Sequence, residues 1–133
     1  MIRILLADDY TIIRKGVRQI LMQEYPSAQI EEIEEGDEWI EKIRSSPWDM
    51  IISDLPMPDR GGLDSLFRIS HDFPQMPVLI LSLYPEDRYA VRALNAGASG
   101  YISKAAAPDE LIEAVRQVLA GEKYSPVPWT GNQ

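Results

Sequence analysis

The sequence predicts an α/β fold: a doubly wound, mainly parallel sheet of five strands with five helices packed on it. Short apolar runs of strand length alternate five times with longer stretches in which apolar residues recur at helical spacing. The apolar runs are nearly continuous, which is typical of strands covered on both faces. Such alternation predicts parallel strands joined by right-handed crossovers. The 133 residues suit one domain that can bury a core.

The first half of the chain contains three predicted strands. The apolar run Ile2–Ala7 is followed by helical spacing that ends near Pro26. Gln29–Ile33 alternates apolar residues with acids, which predicts a strand nearer the edge of the sheet. The next expected elements are a short amphipathic helix over residues 37–45 and a buried strand over Met50–Ser53 that ends at Asp54.

The second half follows the same alternation. A loop rich in proline and glycine, residues 56–62, separates the third strand from the third helix. Gly97 is expected to cap the fourth helix in a left-handed conformation, and Pro108 suits the first turn of the fifth. The expected elements are helix 64–72, strand Val78–Leu81, helix 86–96, strand Gly100–Ser103 and helix 108–121. We expect a domain over residues 1–121, with 122–133 as a tail or the start of a linker.

Composition excludes several classes of protein. Thirteen Lys and Arg against 21 Asp and Glu give a net charge of −8, which argues against a module that itself binds duplex DNA. The absence of cysteine excludes disulfides, Cys-ligated zinc and thiol catalysis, and a single histidine argues against a Ser-His-Asp triad. No secretory leader and no apolar run of about 18 residues is present, so we expect a cytoplasmic protein without membrane contact.

The acidic excess is confined to one part of the chain. Residues 31–64 hold 11 acidic and three basic residues, a net of −8, so the rest of the chain is neutral. Glu31–Glu38 is the densest part, and we interpret it as a solvated loop and helix start, because acids favour the first turn of a helix. The acids that suggest chemistry are those that follow strands.

Polar residues follow four of the five predicted strands: Asp8 and Asp9, Asp54, Ser82 and Lys104. The carboxyl ends of parallel strands meet at one edge of a sheet, where ligands collect. Crowded carboxylates favour a cation between them, and hard oxygen ligands favour Mg²⁺. A lysine suits phosphate oxygens. Each residue alone also fits a helix cap, a turn or a solvated surface, but together they predict phosphoryl transfer to a carboxylate.

Four sequence motifs carry a family resemblance. They are Leu5-Leu6-Ala7-Asp8-Asp9, Asp54-Leu55-Pro56-Met57-Pro58, Leu81-Ser82 and Ala96–Lys104. In order and spacing they resemble the receiver domain of two-component response regulators, over residues 2–125. The stretch Ala93–Lys104, with Tyr124-Ser125-Pro126, is similar to receivers of LuxR-type (NarL/FixJ-like) transcriptional regulators. The resemblance implies a flavodoxin-like sheet with strand order 2-1-3-4-5.

The resemblance also implies how the carboxylates act. Asp54 matches the family's phosphoacceptor, which attacks a phosphohistidine on a sensor histidine kinase. Asp9 matches a direct Mg²⁺ ligand, and Asp8 an acid that holds the ion through water. Asp54 and the backbone carbonyl of Pro56 match the remaining protein ligands. Such a protein catalyses only its own phosphorylation and dephosphorylation, and is otherwise a signalling protein and not an enzyme.

Three further residues match the family's switch. Lys104 and Ser82 match the ammonium and the hydroxyl that bind the phosphoryl group. Tyr101 matches the aromatic residue that moves inward with the hydroxyl, although an aromatic in a short strand is also an ordinary core residue. The expected result is a rearranged surface over residues 86–121, with the fourth helix as its mobile element.

Partners and alternatives follow from the same resemblance. We expect contact with DNA only through an output domain outside this chain, and at most a homodimer that phosphorylation enhances. One alternative is a stand-alone receiver, or a binding module with vestigial acids, that acts through protein–protein contacts. Another is an Mg²⁺-dependent phosphohydrolase, although Pro56 stands where a haloacid-type phosphatase carries its general acid.

Overall fold

The computed structural model describes the backbone of residues 2–7, 11–33, 38–54, 62–82, 86–104 and 107–125. Strands and helices alternate along this chain, as predicted. The strands are β1 (Arg3–Ala7), β2 (Gln29–Ile33), β3 (Met50–Asp54), β4 (Val78–Ser82) and β5 (Gly100–Ser103). The helices are α1 (Thr11–Glu24), α2 (Glu38–Ser45), α3 (Gly62–Asp72), α4 (Glu86–Asn95) and α5 (Ala107–Leu119).

The five strands form one parallel sheet with the order β2-β1-β3-β4-β5. This architecture confirms the doubly wound α/β fold and the strand order that the resemblance implied. The chain reverses its winding direction between β1 and β3, which lie side by side at the centre of the sheet. In such folds ligands bind near this reversal, at the carboxyl ends of the strands.

Two apolar layers cover the sheet because successive strand side chains point to opposite faces. One face carries Leu5, Ile51 and Ile80 and packs against α2, α3 and α4. The opposite face carries residues such as Leu6 and Ile52 and packs against α1 and α5. The residues of β4 are all buried, as are those described in β3, which explains why their sequences read as continuous apolar runs.

The edge strand β2 is only partly buried: Ile30 and Ile33 are buried on opposite faces, whereas Gln29 and Glu32 are exposed, which agrees with the edge position that its acidic residues predict. Glu32 pairs with Arg14 and Arg18 of α1 at 3.2 and 3.0 Å, and Glu31 pairs with Lys42 of α2 at 3.0 Å. These ion pairs are partly exposed, so each stabilises the fold by at most about 1 kcal/mol. Of the dense acidic stretch, residues 34–37 lie outside the described residues.

The end of α4 confirms the predicted glycine cap. Gly97 has a φ of +116°, and the amide of Ala98 donates to the carbonyl of Ala93 at 3.0 Å, which closes the helix. A Cβ at Gly97 would also overlap the hydroxyl of Ser70 in α3. The glycine therefore serves both the cap and the close packing of α4 on α3.

None of the helices in the described part of the chain is both long and apolar enough to cross a membrane. After α5, residues 122–125 turn back and lie against β5.

Candidate functional site

The strand register aligns the residues that sequence patterns singled out. Ala7 at the end of β1 pairs with Ser53, Asp54 at the end of β3 pairs with Leu81, and Ser82 at the end of β4 pairs with Ser103. Neighbouring strands lie about 4.8 Å apart, so adjacent strand ends are within one or two strand widths of each other. The fold therefore brings the backbone of Asp54, and the residues Ser82 and Lys104, to one edge of three adjacent strands.

Ser82 is fully buried at the last position of β4. Its backbone carbonyl accepts a hydrogen bond from the amide of Lys104 at 2.8 Å. This bond ties the end of β4 to the residue that follows β5. A displacement of either strand end therefore moves the other.

Lys104 is buried as well, with 8% of the residue exposed. An ammonium group so far from water requires anionic or hydrogen-bonding partners, because burying an isolated charge costs several kcal/mol. Lysine is rarely buried without such partners. A lysine that directly follows a strand is ordinarily exposed to solvent, whereas Lys104 is buried at the carboxyl edge.

Tyr101 is fully buried on the α4 side of the sheet. It pairs with Ile80 of β4, and it belongs to the same apolar layer as Ala90, Ala93 and Leu94 of α4. Because α4 presents two alanines to this layer, it leaves room for the large ring. The Tyr101 ring therefore occupies an inward position between the sheet and α4.

Ser82 and Tyr101 share one face of the sheet. Strand side chains alternate, so Ser82 lies on the face of Ile80, and Ser103 lies on the face of Tyr101. The two pairs, Ile80 with Tyr101 and Ser82 with Ser103, are consecutive on that face. Ser82 and Tyr101 are therefore diagonal neighbours on that face.

Two serines were not singled out from the sequence. Ser53 is fully buried beside Ala7 and Ile80, one residue before Asp54, and Ser103 lies beside Ser82. In the sequence, each is marked only as a polar residue at the end of an otherwise apolar run. That signal is weak, because a single serine at a strand end is common in turns.

The remaining predicted site residues are placed only in part. Asp54 is placed by its backbone, whereas Asp8, Asp9 and Pro56 lie outside the described residues. The part of the chain that the structure describes contains no group of three His, Cys, Asp or Glu side chains arranged to hold a metal. The chemistry of the predicted donors, three carboxylates and a carbonyl oxygen, favours Mg²⁺ over zinc or copper.

Comparison with known proteins identifies relatives over almost the whole chain. Residues 4–116 match the family described as the response regulator receiver domain. The chain is 32% identical to the response regulator UvrY of Escherichia coli K12 and 30% identical to the response regulator GacA of Pseudomonas aeruginosa, in each case over 124 residues. These matches cover 93% of this chain but only 57% and 58% of the relatives, so the chain spans little more than half their length.

Solved structures share the fold. A LuxR-family two-component response regulator from Aurantimonas is 33% identical with a TM-score of 0.79, covering 93% of this chain and 89% of that one. A LuxR-family DNA-binding response regulator from Silicibacter pomeroyi is 29% identical with a TM-score of 0.80, covering 97% and 100%. The isolated receiver domain of RcsB from Salmonella enterica serovar Typhimurium, 24% identical, gives 0.82 over 95% and 93% and supports the fold alone.

Proposed function

Because the chain belongs to the response regulator receiver domain family, we propose that it accepts a phosphoryl group on Asp54 from a sensor histidine kinase. The observation that carries the proposal is the arrangement of the carboxyl edge. Buried Ser82 ends β4, the neighbour of the strand that ends at Asp54, and its backbone carbonyl bonds to buried Lys104, which follows β5 one strand further on. A hydroxyl and an ammonium beside a carboxylate are the groups that an acyl phosphate requires.

The proposed reaction uses Mg²⁺, held by Asp8, Asp9, Asp54 and the backbone carbonyl of Pro56. When bound, the ion neutralises negative charge on the phosphoryl oxygens. The Asp54 carboxylate attacks phosphorus in line with the departing imidazole nitrogen. The Lys104 ammonium compensates the charge that stays on the transferred group, in a setting with little water, where such compensation is strongest.

The acyl phosphate then acts as a switch. It adds negative charge and acceptor oxygens to which the Ser82 hydroxyl donates. Once that hydroxyl turns toward the carboxyl edge, the space beside Tyr101 favours the buried ring position. The two arrangements bias the surface formed by α4, β5 and α5, which is the surface that other molecules read.

The output of the switch lies outside this chain in our proposal. The relatives UvrY and GacA are response regulators of nearly twice the matched length. We infer that the receiver controls a DNA-binding domain, and that phosphorylation strengthens a homodimer. The net charge of −8 supports a receiver that does not touch DNA itself. The proposed location is the cytoplasm. Disulfides are rare there, which agrees with a sequence without cysteine.

Labelling with a small phosphodonor tests the phosphoacceptor. Wild-type protein in acetyl phosphate and Mg²⁺ is expected to gain one phosphoryl group by intact mass, and Asp54→Asn is expected to gain none. Asp109→Asn, an exposed carboxylate in the first turn of α5, is the matched control and should label like wild type. Label on Asp54→Asn would refute the assignment, and steady turnover of an added phosphoester would favour a phosphohydrolase instead.

A further inference from the structure

The chain after α5 returns to the sheet and forms one isolated parallel bridge with its edge strand. Residues 122–125, the C-terminal segment, run along the outer edge of β5, where Tyr124 forms a bridge with Gly100. The amide of Tyr124 donates to the carbonyl of Ser99 at 3.0 Å, and the amide of Tyr101 donates to the carbonyl of Tyr124 at 3.1 Å. The segment thus covers backbone groups that an edge strand otherwise exposes.

Side chains anchor the same segment. The ring of Tyr124 packs against the apolar layer on the α5 side of the sheet, and its hydroxyl donates to the carboxylate of Glu110 in α5. The ammonium of Lys123 donates to the carbonyl of Ala98 at 3.0 Å, and burial lowers the pKa of Lys123. The segment is therefore attached to α5, to β5 and to the turn that precedes β5.

Gly100 permits this close approach. A Cβ at Gly100 would lie 3.2 Å from both the Cβ and the carbonyl oxygen of Tyr124, and 2.8 Å from Cδ1 of Leu79. A glycine inside a strand weakens the strand unless another part of the chain must come close to it. The position of Gly100 indicates that contact with Tyr124 belongs to the fold of β5.

One residue joins the C-terminal segment to the switch. The backbone amide of Tyr101 bonds to Tyr124, while the ring of Tyr101 occupies the α4 side of the sheet. The buried ring and the docked segment occur together in this structure. Any shift of β5 that accompanies movement of the ring alters the geometry of the bond to Tyr124.

We propose that Tyr124 is a positioning residue for the switch strand: the docked C-terminal segment favours the buried Tyr101, and phosphorylation of Asp54 in turn strengthens the docking. This inference rests on the proposed function. The coupling is reciprocal, because two events that favour the same arrangement must favour each other equally. Phosphorylation thereby fixes the position of residues 122–125 against β5.

Amide hydrogen exchange measured by NMR tests the direction of coupling. The amides of Tyr101 and Tyr124 donate the two backbone hydrogen bonds between the segment and the sheet, so their exchange rates measure how firmly the segment is docked. In Mg²⁺ with beryllofluoride as the phosphoryl mimic, both are expected to exchange at least about fivefold more slowly than without it, the lower end of usual coupling strengths. Exchange that stays the same or accelerates would overturn the proposal.

A variant separates positioning from simple anchoring. Tyr124→Phe removes the hydroxyl that bonds to Glu110 and keeps the ring. It is expected to raise the beryllofluoride concentration at half saturation about threefold, whereas Tyr25→Phe, on the same apolar layer at the end of α1, should leave it unchanged. Glu110→Gln keeps an acceptor oxygen and should behave like wild type.

The outcomes distinguish this inference from the proposed function. Faster exchange in Tyr124→Phe with an unchanged beryllofluoride midpoint would make Tyr124 an anchor only and overturn the inference alone. Wild-type protein that binds no beryllofluoride would overturn the proposed function and the coupling with it.

Discussion

At the scale of single residues, burial distinguishes candidate site residues from residues that only cap a helix or face solvent. Asp8, Asp9, Asp54, Ser82 and Lys104 each have an ordinary explanation in the sequence. The structure weakens that explanation for the last two, because Ser82 is fully buried and Lys104 nearly so. A capping serine or a solvated lysine would remain in water. Removing a polar side chain from water costs free energy, and the proposed role in binding a phosphoryl group explains why these two side chains are buried.

Lys104→Met is expected to slow phosphorylation by acetyl phosphate about 10² to 10³-fold. The substitution removes the charge that compensates the phosphoryl oxygens in a setting from which water is excluded. The rate of phosphoryl incorporation at saturating Mg²⁺ measures it. Lys42→Met is the control, because Lys42 is a half-exposed residue of α2 that pairs with Glu31 of the edge strand β2. Equal rates in the two variants would remove Lys104 from the site.

The sequence could not identify every residue of this edge. Ser53 and Ser103 occupy positions where one polar residue changes little in the pattern of an apolar strand. Their relevance comes from register, since Ser103 lies beside Ser82 only after β4 and β5 pair. Pairing register between distant strands depends on packing of the whole sheet, which a single sequence does not reveal.

At the scale of elements, apolar periodicity predicts most of the fold. The strands lie within about one residue of their predicted bounds because each is a short apolar run that ends at a polar residue. Helix α3 begins at Gly62, two residues before its predicted start, since glycine gives no helical signal of its own. The prolines and glycine of residues 122–133 predict a tail or linker, whereas residues 122–125 pair with the edge of β5, a contact that local sequence pattern does not reveal.

Substitution of two glycines tests the cap of α4 and the helical conformation of α1. Gly97→Ala is expected to destabilise the fold by about 1 to 3 kcal/mol, because it places a Cβ at positive φ and against Ser70. Gly16→Ala lies within α1 where a Cβ meets no atom within 4 Å, so a gain of about 0.5 to 1 kcal/mol is expected. Urea unfolding measures both. A neutral Gly97→Ala would contradict the cap.

At the scale of the whole molecule, the doubly wound topology explains why the residues of the proposed site come to one edge of the sheet. Residues separated by up to 96 positions, from Asp8 to Lys104, follow strands whose carboxyl ends share one edge. The family match over residues 4–116 confirms the resemblance that four short motifs indicated. Of the three carboxylates in the proposed site, Asp54 belongs to the acidic segment 31–64, whereas Asp8 and Asp9 lie outside it.

In the proposed function, the carboxyl edge binds a phosphoryl group between β3, β4 and β5. A crystal structure in Mg²⁺ and beryllofluoride tests this binding most directly. We expect the beryllium bonded to a carboxylate oxygen of Asp54, with the Ser82 hydroxyl and the Lys104 ammonium at about 2.7 to 3.0 Å from the fluorines. Beryllofluoride bound at another residue, or on Asp54 with Ser82 and Lys104 both turned away, would contradict it.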